Sequence, residues 1–205
     1  MAAVELVERR RREIADAAAA TFAAKGYHAT GIADIAEQLG IGHGTFYRYF
    51  KNKRDILEFV MDEVLRDLGD VMAREDPEAA ATLDEYRAQT ERIGTGLFDH
   101  FIANPALARL FYVEALGADQ ELAERWLDTQ AAFGQLCESF LANGVGRGFL
   151  PADLDLEVTA RGINGMIFAG ALAAVRMPDP AAERDRWVTG ITRLMFEGVS
   201  AAGSS

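Results

Sequence analysis

The sequence has few of the residues that cross-links, metal sites and membrane spans require. Its 205 residues include one cysteine, Cys137, which excludes an intramolecular disulfide. The three histidines have no histidine or cysteine three or four positions away, so we expect no metal site and no cofactor. The longest apolar run without charge, Ile163 to Val175, is too short to span a bilayer. The charged N-terminus lacks the apolar core of a signal peptide, so we expect a cytoplasmic protein with no membrane partner.

Positive charge is also scarce overall, and the formal net charge is −11. This balance argues against a nucleic-acid partner, because phosphate binding needs local positive charge. The distribution of charge along the chain reverses that argument. Residues 1–54 hold nine Lys or Arg and six Asp or Glu, a net of +3, whereas residues 55–205 hold twelve and twenty-six, a net of −14. No acidic residue lies between Glu37 and Asp55, so this window is predicted to face phosphates.

Recognisable catalytic patterns are absent as well. The sequence contains no nucleophile elbow, no paired-carboxylate site and no Cys–His couple. The glycine-rich stretch 144–148 follows a predicted helix and lacks the Lys-Ser/Thr of a phosphate loop. We therefore expect a protein that is not an enzyme.

Apolar residues recur at helical spacing along almost the whole chain, and no strand pattern is found. The first helix is predicted to end at Gly26, and the second to be capped by Thr30 and to end at Gly40. A short third helix is predicted from His43 to Phe50, and a fourth over about 53–69. Further helices are predicted over roughly 80–103, 105–116, 119–147, 155–176 and 180–201. The predicted fold class is therefore all-α.

The turn Gly40-Ile41-Gly42 between two short helices predicts a helix-turn-helix, because glycine allows the positive φ that such a turn needs. In this motif the second helix enters the major groove of DNA. The outward-facing candidates for DNA contact are His43, Gly44, Thr45, Tyr47, Arg48 and Tyr49. Phe46 and Phe50 are expected to face inward. The alternative is that this aromatic cluster is ordinary core of a helical protein, and periodicity alone leaves both interpretations open.

Two stretches of this region read ATGIADIA (residues 29–36) and LGIGHGTFYRYFKNK (residues 39–53). Together they resemble the N-terminal signature of the TetR family, over about residues 10–57. The resemblance implies that Thr30 and Lys53 hold phosphates and that Tyr47 and Tyr49 reach the DNA backbone. It also implies that four residues lie near bases, namely His43, Gly44, Thr45 and Arg48. The sequence departs from the family at Gly31 and Gly42, where threonine or serine is frequent.

The same resemblance implies a domain organisation. Residues 1–54 are expected to form a three-helix, helix-turn-helix DNA-binding domain, and residues 55–205 a larger helical domain for ligand binding and dimerisation. The helix over about 53–69 connects the two domains.

Two features of residues 55–205 give candidate sites. The predicted dimer interface combines small residues along one helix with residues of the last helix, namely Gly162, Gly165, Ala169, Ala173, Trp187 and Ile191. The alternative for these residues is packing within one chain. The resemblance also implies an inducer pocket among large apolar residues, with candidates Phe98, Phe111, Glu114, Phe133 and Phe168. Glu114 and Asn164 are candidate polar anchors in a pocket that suits a lipophilic molecule.

These observations predict a TetR-type transcriptional regulator, a homodimeric repressor that a largely apolar small molecule releases from a palindromic DNA operator. A dimer is expected because one short helix reads few base pairs, whereas a two-fold dimer reads two half-sites. The alternatives are an activator, a DNA-binding regulator without a small-molecule inducer, and a helical enzyme or binding protein whose helix-turn-helix does not bind DNA.

Overall fold

The computed structural model describes residues 2–103, 105–174 and 179–199, and every regular element in these ranges is helical. The elements are α1 Ala2–Lys25, α2 Ile32–Leu39, α3 His43–Tyr47, α4 Lys53–Ala73, α5 Leu83–Ala103, α6 Pro105–Arg109, a π-helical turn Leu110–Glu114, α7 Ala115–Ala118, α8 Gln120–Arg147, α9 Leu156–Ala174 and α10 Pro180–Glu197. The predicted all-α fold class is confirmed. None of the described helices is both long and apolar enough to cross a membrane.

Contacts divide the chain into two compact units. The first unit comprises the described residues up to Arg66 together with those between 105 and 127. The second unit comprises Asp67–Ala103 and the described residues from Asp128 onwards. The first unit therefore contains the predicted helix-turn-helix, and it also contains a segment that follows α5 in the chain.

The N-terminus of α2 differs from the prediction by one residue. Gly31, and not Thr30, is the N-cap, and its N–H donates to Asp34 Oδ2 at 2.7 Å. The Thr30 hydroxyl instead donates to Gly26 O at 2.8 Å, so it closes the end of α1. The predicted cap at Thr30 is wrong because the Asp34 carboxylate, one turn into the helix, selects the following residue as the cap.

The segment predicted as one helix over 105–116 is divided in three. A five-residue π-helical turn, Leu110–Glu114, separates α6 from α7. The prediction of a single α-helix is therefore wrong in detail. A π-helical turn widens the helix by one residue and changes which side chains share a face, and such turns occur often at functional sites. Apolar periodicity does not reveal it, because the segment stays helical on both sides.

Candidate DNA-binding surface and ligand cavity

The turn between α2 and α3 has the backbone that the helix-turn-helix interpretation requires. Gly40 adopts a φ of +63°, which an L side chain rarely allows. Its N–H donates to Glu37 O, and the N–H of Ile41 donates to Ala36 O, both at 3.0 Å. The turn thus satisfies the last carbonyls of α2 and redirects the chain within two residues. The role predicted for Gly40 is confirmed.

Two buried phenylalanines anchor α3 within the first unit. Phe46 is fully buried and Phe50 is 1% exposed, and their ring centroids lie 6.2 Å apart. Their predicted inward orientation is confirmed. Regular helix ends at Tyr47 and not at Phe50, although the Phe50 N–H still donates to Phe46 O at 3.2 Å. Gly42 is the N-cap, and its carbonyl accepts the Thr45 N–H at 2.9 Å.

The opposite side of α3 faces solvent. The exposed residues there are His43, Gly44, Tyr47 and Arg48, whereas Thr45 and Tyr49 are half-buried. The Arg48 guanidinium lies 5.1 Å from the ring centroid of Tyr49 and donates to its hydroxyl at 3.0 Å. An arginine held in this way presents its remaining donors to phosphates or base edges. Contact of these six residues with DNA stays a prediction.

Lys53 closes the α1–α2 turn, which comprises residues 26–31. Its Nζ donates to three backbone carbonyls, those of Tyr27 at 2.9 Å, His28 at 3.3 Å and Thr30 at 3.2 Å. The same ammonium lies 4.6 Å from the Tyr27 ring centroid. Thr30 itself is 2% exposed. The structure therefore gives both predicted phosphate-binding residues partners within the chain, where they position α2 relative to α4.

Glu114 holds the other side of the α1–α2 turn. Its Oε2 accepts the backbone N–H of Tyr27 at 3.0 Å, and His28 Nε2 lies 2.9 Å from Gly117 O. Both contacts join the α1–α2 turn to the segment around the π-helical turn, and they lie within the first unit. This carboxylate is therefore committed to a backbone amide near the helix-turn-helix.

Removing the Glu114 carboxylate tests this contact. We expect Glu114→Ala to lower the free energy of unfolding by about 1–3 kcal/mol, because the amide of the buried Tyr27 loses its acceptor. Glu114→Gln keeps an acceptor oxygen and should retain most of that stability. Urea denaturation followed by circular dichroism measures both changes.

The matched control is Glu121→Ala. The Glu121 side chain is 79% exposed and pairs with Arg54 on the surface, so its removal should change stability little. Equal effects of Glu114→Ala and Glu121→Ala would contradict a structural role for the Tyr27–Glu114 hydrogen bond.

The second unit contains an apolar hollow, the inner cavity. It is lined by Met72 of α4, by α5 residues Tyr86, Thr90, Ile93, Gly94, Leu97, Phe98 and Phe101, by Cys137 and Phe140 of α8, by Ile163, Ile167 and Gly170 of α9, and by Val188, Ile191, Thr192 and Met195 of α10. No charged side chain is among them. A site of this composition binds apolar molecules.

The few polar groups of the inner cavity stay neutral. Burial raises the pKa of Tyr86 to about 12, and it raises the pKa of the Cys137 thiol to about 11. The Thr90 hydroxyl donates to Tyr86 O at 2.9 Å, within α5. Within the described ranges, the lining therefore offers no charge that could pair with an ionised ligand group.

One of the predicted ligand-binding residues lines the inner cavity. Phe98 is 5% exposed and contributes to the α5 wall. Phe133 of α8 and Phe168 of α9 are half-buried and are not among the lining residues. The side chain of Phe111 lies outside the part of the chain that the structure describes. The predicted ligand site does not include the α5 residues Tyr86, Thr90, Ile93 and Leu97, although they recur at helical spacing.

Neither predicted polar anchor lines the inner cavity. Asn164 Nδ2 donates to Gln130 O at 3.2 Å and so joins α9 to α8. Glu114 belongs to the first unit, whereas all residues of the cavity belong to the second.

The predicted dimer residues fall into two groups. Gly162, Gly165 and Ala169 are exposed along α9, and Ala173 is half-buried. Trp187 and Ile191 of α10 are half-buried and pack within the chain against Gly170, where a Cβ would lie 3.5 Å from Trp187 Cε3 and 3.7 Å from Ile191 Cδ1. The α9 row is therefore open to a partner protomer, and the dimer interface stays a prediction.

Metal binding has no candidate among the described residues, since they contain no group of three His, Cys, Asp or Glu side chains able to hold an ion.

Comparisons with known proteins agree with this architecture. The family model of bacterial regulatory proteins, tetR family, matches residues 14–60. The fatty acid metabolism regulator protein of Bacillus subtilis is 27% identical over 158 residues, which cover 76% of this chain and 78% of that protein. The HTH-type transcriptional repressor KstR2 of Rhodococcus jostii is 32% identical over 157 residues, which cover 74% of this chain and 73% of that protein.

A solved structure extends the similarity to almost the whole chain. The transcriptional regulator FadR from Bacillus subtilis, in complex with stearoyl-CoA, superposes with a TM-score of 0.74 at 25% identity. The alignment covers 92% of this chain and 99% of that one.

The helix-turn-helix and the apolar cavity are the features of a DNA-binding regulator with a separate ligand-sized cavity. The chain belongs to the TetR family. It is a ligand-responsive, DNA-binding transcriptional repressor, and its relatives are transcriptional regulators. Regulators of this family bind operator DNA as dimers, and they have small-molecule effectors.

Proposed function

We propose that this chain is a homodimeric repressor that occupies a palindromic operator through α3 of each protomer and dissociates when a fatty acyl ligand fills the inner cavity. In this proposal residues 1–54 bind DNA, and residues 55–205 provide ligand binding and dimerisation. The protein acts in the cytoplasm, needs no cofactor and catalyses no reaction.

Charge and exposure support the DNA-binding part. The N-terminal 54 residues carry a net charge of +3 in a chain of net charge −11. The exposed side of α3 presents Arg48 and Tyr47, and no acidic residue lies between Glu37 and Asp55. A helix of five residues reads few base pairs, so specificity requires two copies about 34–36 Å apart on the DNA. The exposed small residues of α9 are the surface through which we expect the copies to join.

The inner cavity is the observation that carries the effector assignment. None of the described residues that line it is charged, so a ligand gains affinity there by burying hydrocarbon. The relatives named for fatty acid metabolism and for a complex with stearoyl-CoA support a fatty acyl chain in particular. The phosphates of a CoA ester would stay outside, because an uncharged lining cannot compensate for their desolvation.

Palmitoyl-CoA is the effector to test first. We expect it to bind the protein in calorimetry and to release a labelled operator duplex, whereas CoA alone does neither. Ile93→Trp places an indole in the inner cavity and should weaken palmitoyl-CoA binding about tenfold or more, because displacing about two methylenes costs about 1.6 kcal/mol.

Ala88→Trp is the matched control, since Ala88 is exposed on the same helix. It should leave palmitoyl-CoA binding unchanged, and both variants should bind the operator normally without ligand. Failure of the wild-type protein to bind any acyl-CoA would overturn the effector assignment and favour a regulator without this class of inducer.

A further inference from the structure

A second hollow, the outer groove, lies next to the inner cavity in the second unit. It is lined by Leu83, Tyr86, Leu141, Phe149, Leu150, Pro151, Leu154, Thr159, Gly162, Ile163, Met166, Met195 and Phe196. No charged side chain is found among these described residues. The cavity volume is about 560 Å³ for the outer groove and about 80 Å³ for the inner cavity.

Three residues belong to both hollows, and they form the partition between them. Tyr86, Ile163 and Met195 line the inner cavity on one side and the outer groove on the other. The ring of Tyr86 also contacts two aromatic rings of the groove, Phe149 at 5.9 Å and Phe196 at 5.6 Å between centroids. Met195 is unbranched and half-buried, so it can change rotamer at low cost. The same three residues therefore border both hollows.

The lining of the outer groove is more exposed than that of the inner cavity. Outside the predicted dimer row of α9, the groove contains two exposed residues, Leu83 and Pro151, whereas the described residues of the inner cavity are all buried or half-buried. A charged head group must remain in water, because its burial without a partner is costly. A ligand with one charged end and one apolar end therefore enters by the groove with its methyl end first.

The end of α8 shapes the wall of the groove. Gly148 has a φ of +79°, and the N–H groups of Phe149 and Leu150 both donate to Gly144 O at 3.1 Å. Leu150 packs directly over Gly144, where a Cβ would lie 2.5 Å from Leu150 Cδ1. The chain reversal thus places Phe149 and Leu150 in the groove, and the glycines at 144 and 148 make that possible.

We propose that the two hollows form one acyl-chain site, in which the outer groove holds the methylenes near the head group and the inner cavity holds the far end of a long chain. This inference rests on the proposed function and makes it specific. A short chain occupies the groove alone, and a long chain passes Tyr86, Ile163 and Met195 to reach the inner cavity. The protein therefore selects long acyl chains, and the partition sets the length at which the inner cavity begins to contribute.

Calorimetric titration with hexanoyl-, octanoyl-, dodecanoyl- and palmitoyl-CoA tests the proposal. In the wild-type protein we expect affinity to rise about two- to fourfold per added methylene, as hydrocarbon burial predicts. Ile163→Trp blocks the partition, so palmitoyl-CoA should bind no better than octanoyl-CoA. Ile163→Ala opens the partition and should keep the advantage of the long chain.

Two further variants establish the direction of entry. Leu154→Trp fills the groove only and should weaken every chain length. Ile93→Trp fills the inner cavity only and should weaken palmitoyl-CoA while sparing hexanoyl-CoA. Thermal melting confirms that each variant is folded, and Ile163→Phe replaces Ile163→Trp if the latter is not.

Three results would contradict the joint acyl-chain site, and each has a different meaning. If the wild-type protein binds palmitoyl-CoA and neither Ile163→Trp nor Leu154→Trp changes that binding, the joint site is overturned but the proposed function is not. Absence of binding for every chain length overturns both. Unchanged acyl-CoA binding together with a shifted monomer–dimer equilibrium in Leu154→Trp assigns the groove to a second copy of the chain and overturns the inference.

Discussion

Phe46→Ala is expected to abolish DNA binding by removing the support of α3. Phe46 is fully buried and packs against Phe50, so truncation of its ring leaves a cavity in a small unit. Phenylalanine-to-alanine changes in such sites cost about 3–5 kcal/mol. We expect urea denaturation to show a loss of this size and DNA binding to fall below detection.

The neighbouring residue provides a control that separates folding from recognition. Tyr47 is 56% exposed on the same helix, so Tyr47→Ala should change the free energy of unfolding by no more than about 0.5 kcal/mol. Its DNA affinity should nevertheless fall about tenfold or more, because each protomer loses a predicted phosphate contact. If Tyr47→Ala were as destabilising as Phe46→Ala, or bound DNA normally, the assignment of inward and outward sides of α3 would be wrong.

Lys53→Met is expected to lower the free energy of unfolding of the first unit by about 2 kcal/mol, because hydrogen bonds from a charged donor contribute about 1.5–3 kcal/mol. Methionine keeps the aliphatic stem but leaves the carbonyls of Tyr27, His28 and Thr30 without the ammonium. DNA affinity should fall as well, since these carbonyls belong to the turn that positions α2. Fluorescence of Trp126, the tryptophan of the first unit, follows its unfolding in a Trp187→Phe background.

Lys51→Met makes the same change of charge at an exposed position two residues away. It should leave the unfolding of the first unit unchanged, weaken DNA binding moderately and reduce its salt dependence. A Lys53→Met protein as stable as Lys51→Met would show that the three carbonyls do not depend on Lys53.

Local patterns were sufficient to predict the helix-turn-helix. Gly40 marks the turn, and the spacing of Phe46 and Phe50 marks the buried side of α3, because both signals act within one or two helical turns. The cap of α2 was misplaced by one residue, since Thr30 and Gly31 can both cap and the choice depends on Asp34. Helix boundaries depend on such single contacts, and periodicity cannot resolve them.

Contacts between distant parts of the chain could not be predicted. Lys53 reaches carbonyls 23 to 26 residues earlier, and Glu114 accepts an amide 87 residues earlier. Glu114 lies beside an apolar stripe, and this pattern predicts a ligand anchor. The pattern does not show that the carboxylate accepts the backbone N–H of Tyr27. The inner cavity was unpredictable for a related reason: periodicity identifies an inward-facing row such as Tyr86, Thr90 and Ile93 but does not show whether packing fills the space.

Selection from a pool of random DNA duplexes at two salt concentrations, about 50 and 200 mM, tests the central claim most directly. The account predicts enrichment of a palindrome whose half-sites lie about one helical turn apart, with affinity that falls steeply as salt rises. The absence of any enriched sequence at the lower salt concentration would contradict the assignment as an operator-binding repressor, because a TetR-type repressor with an exposed α3 must recognise specific DNA.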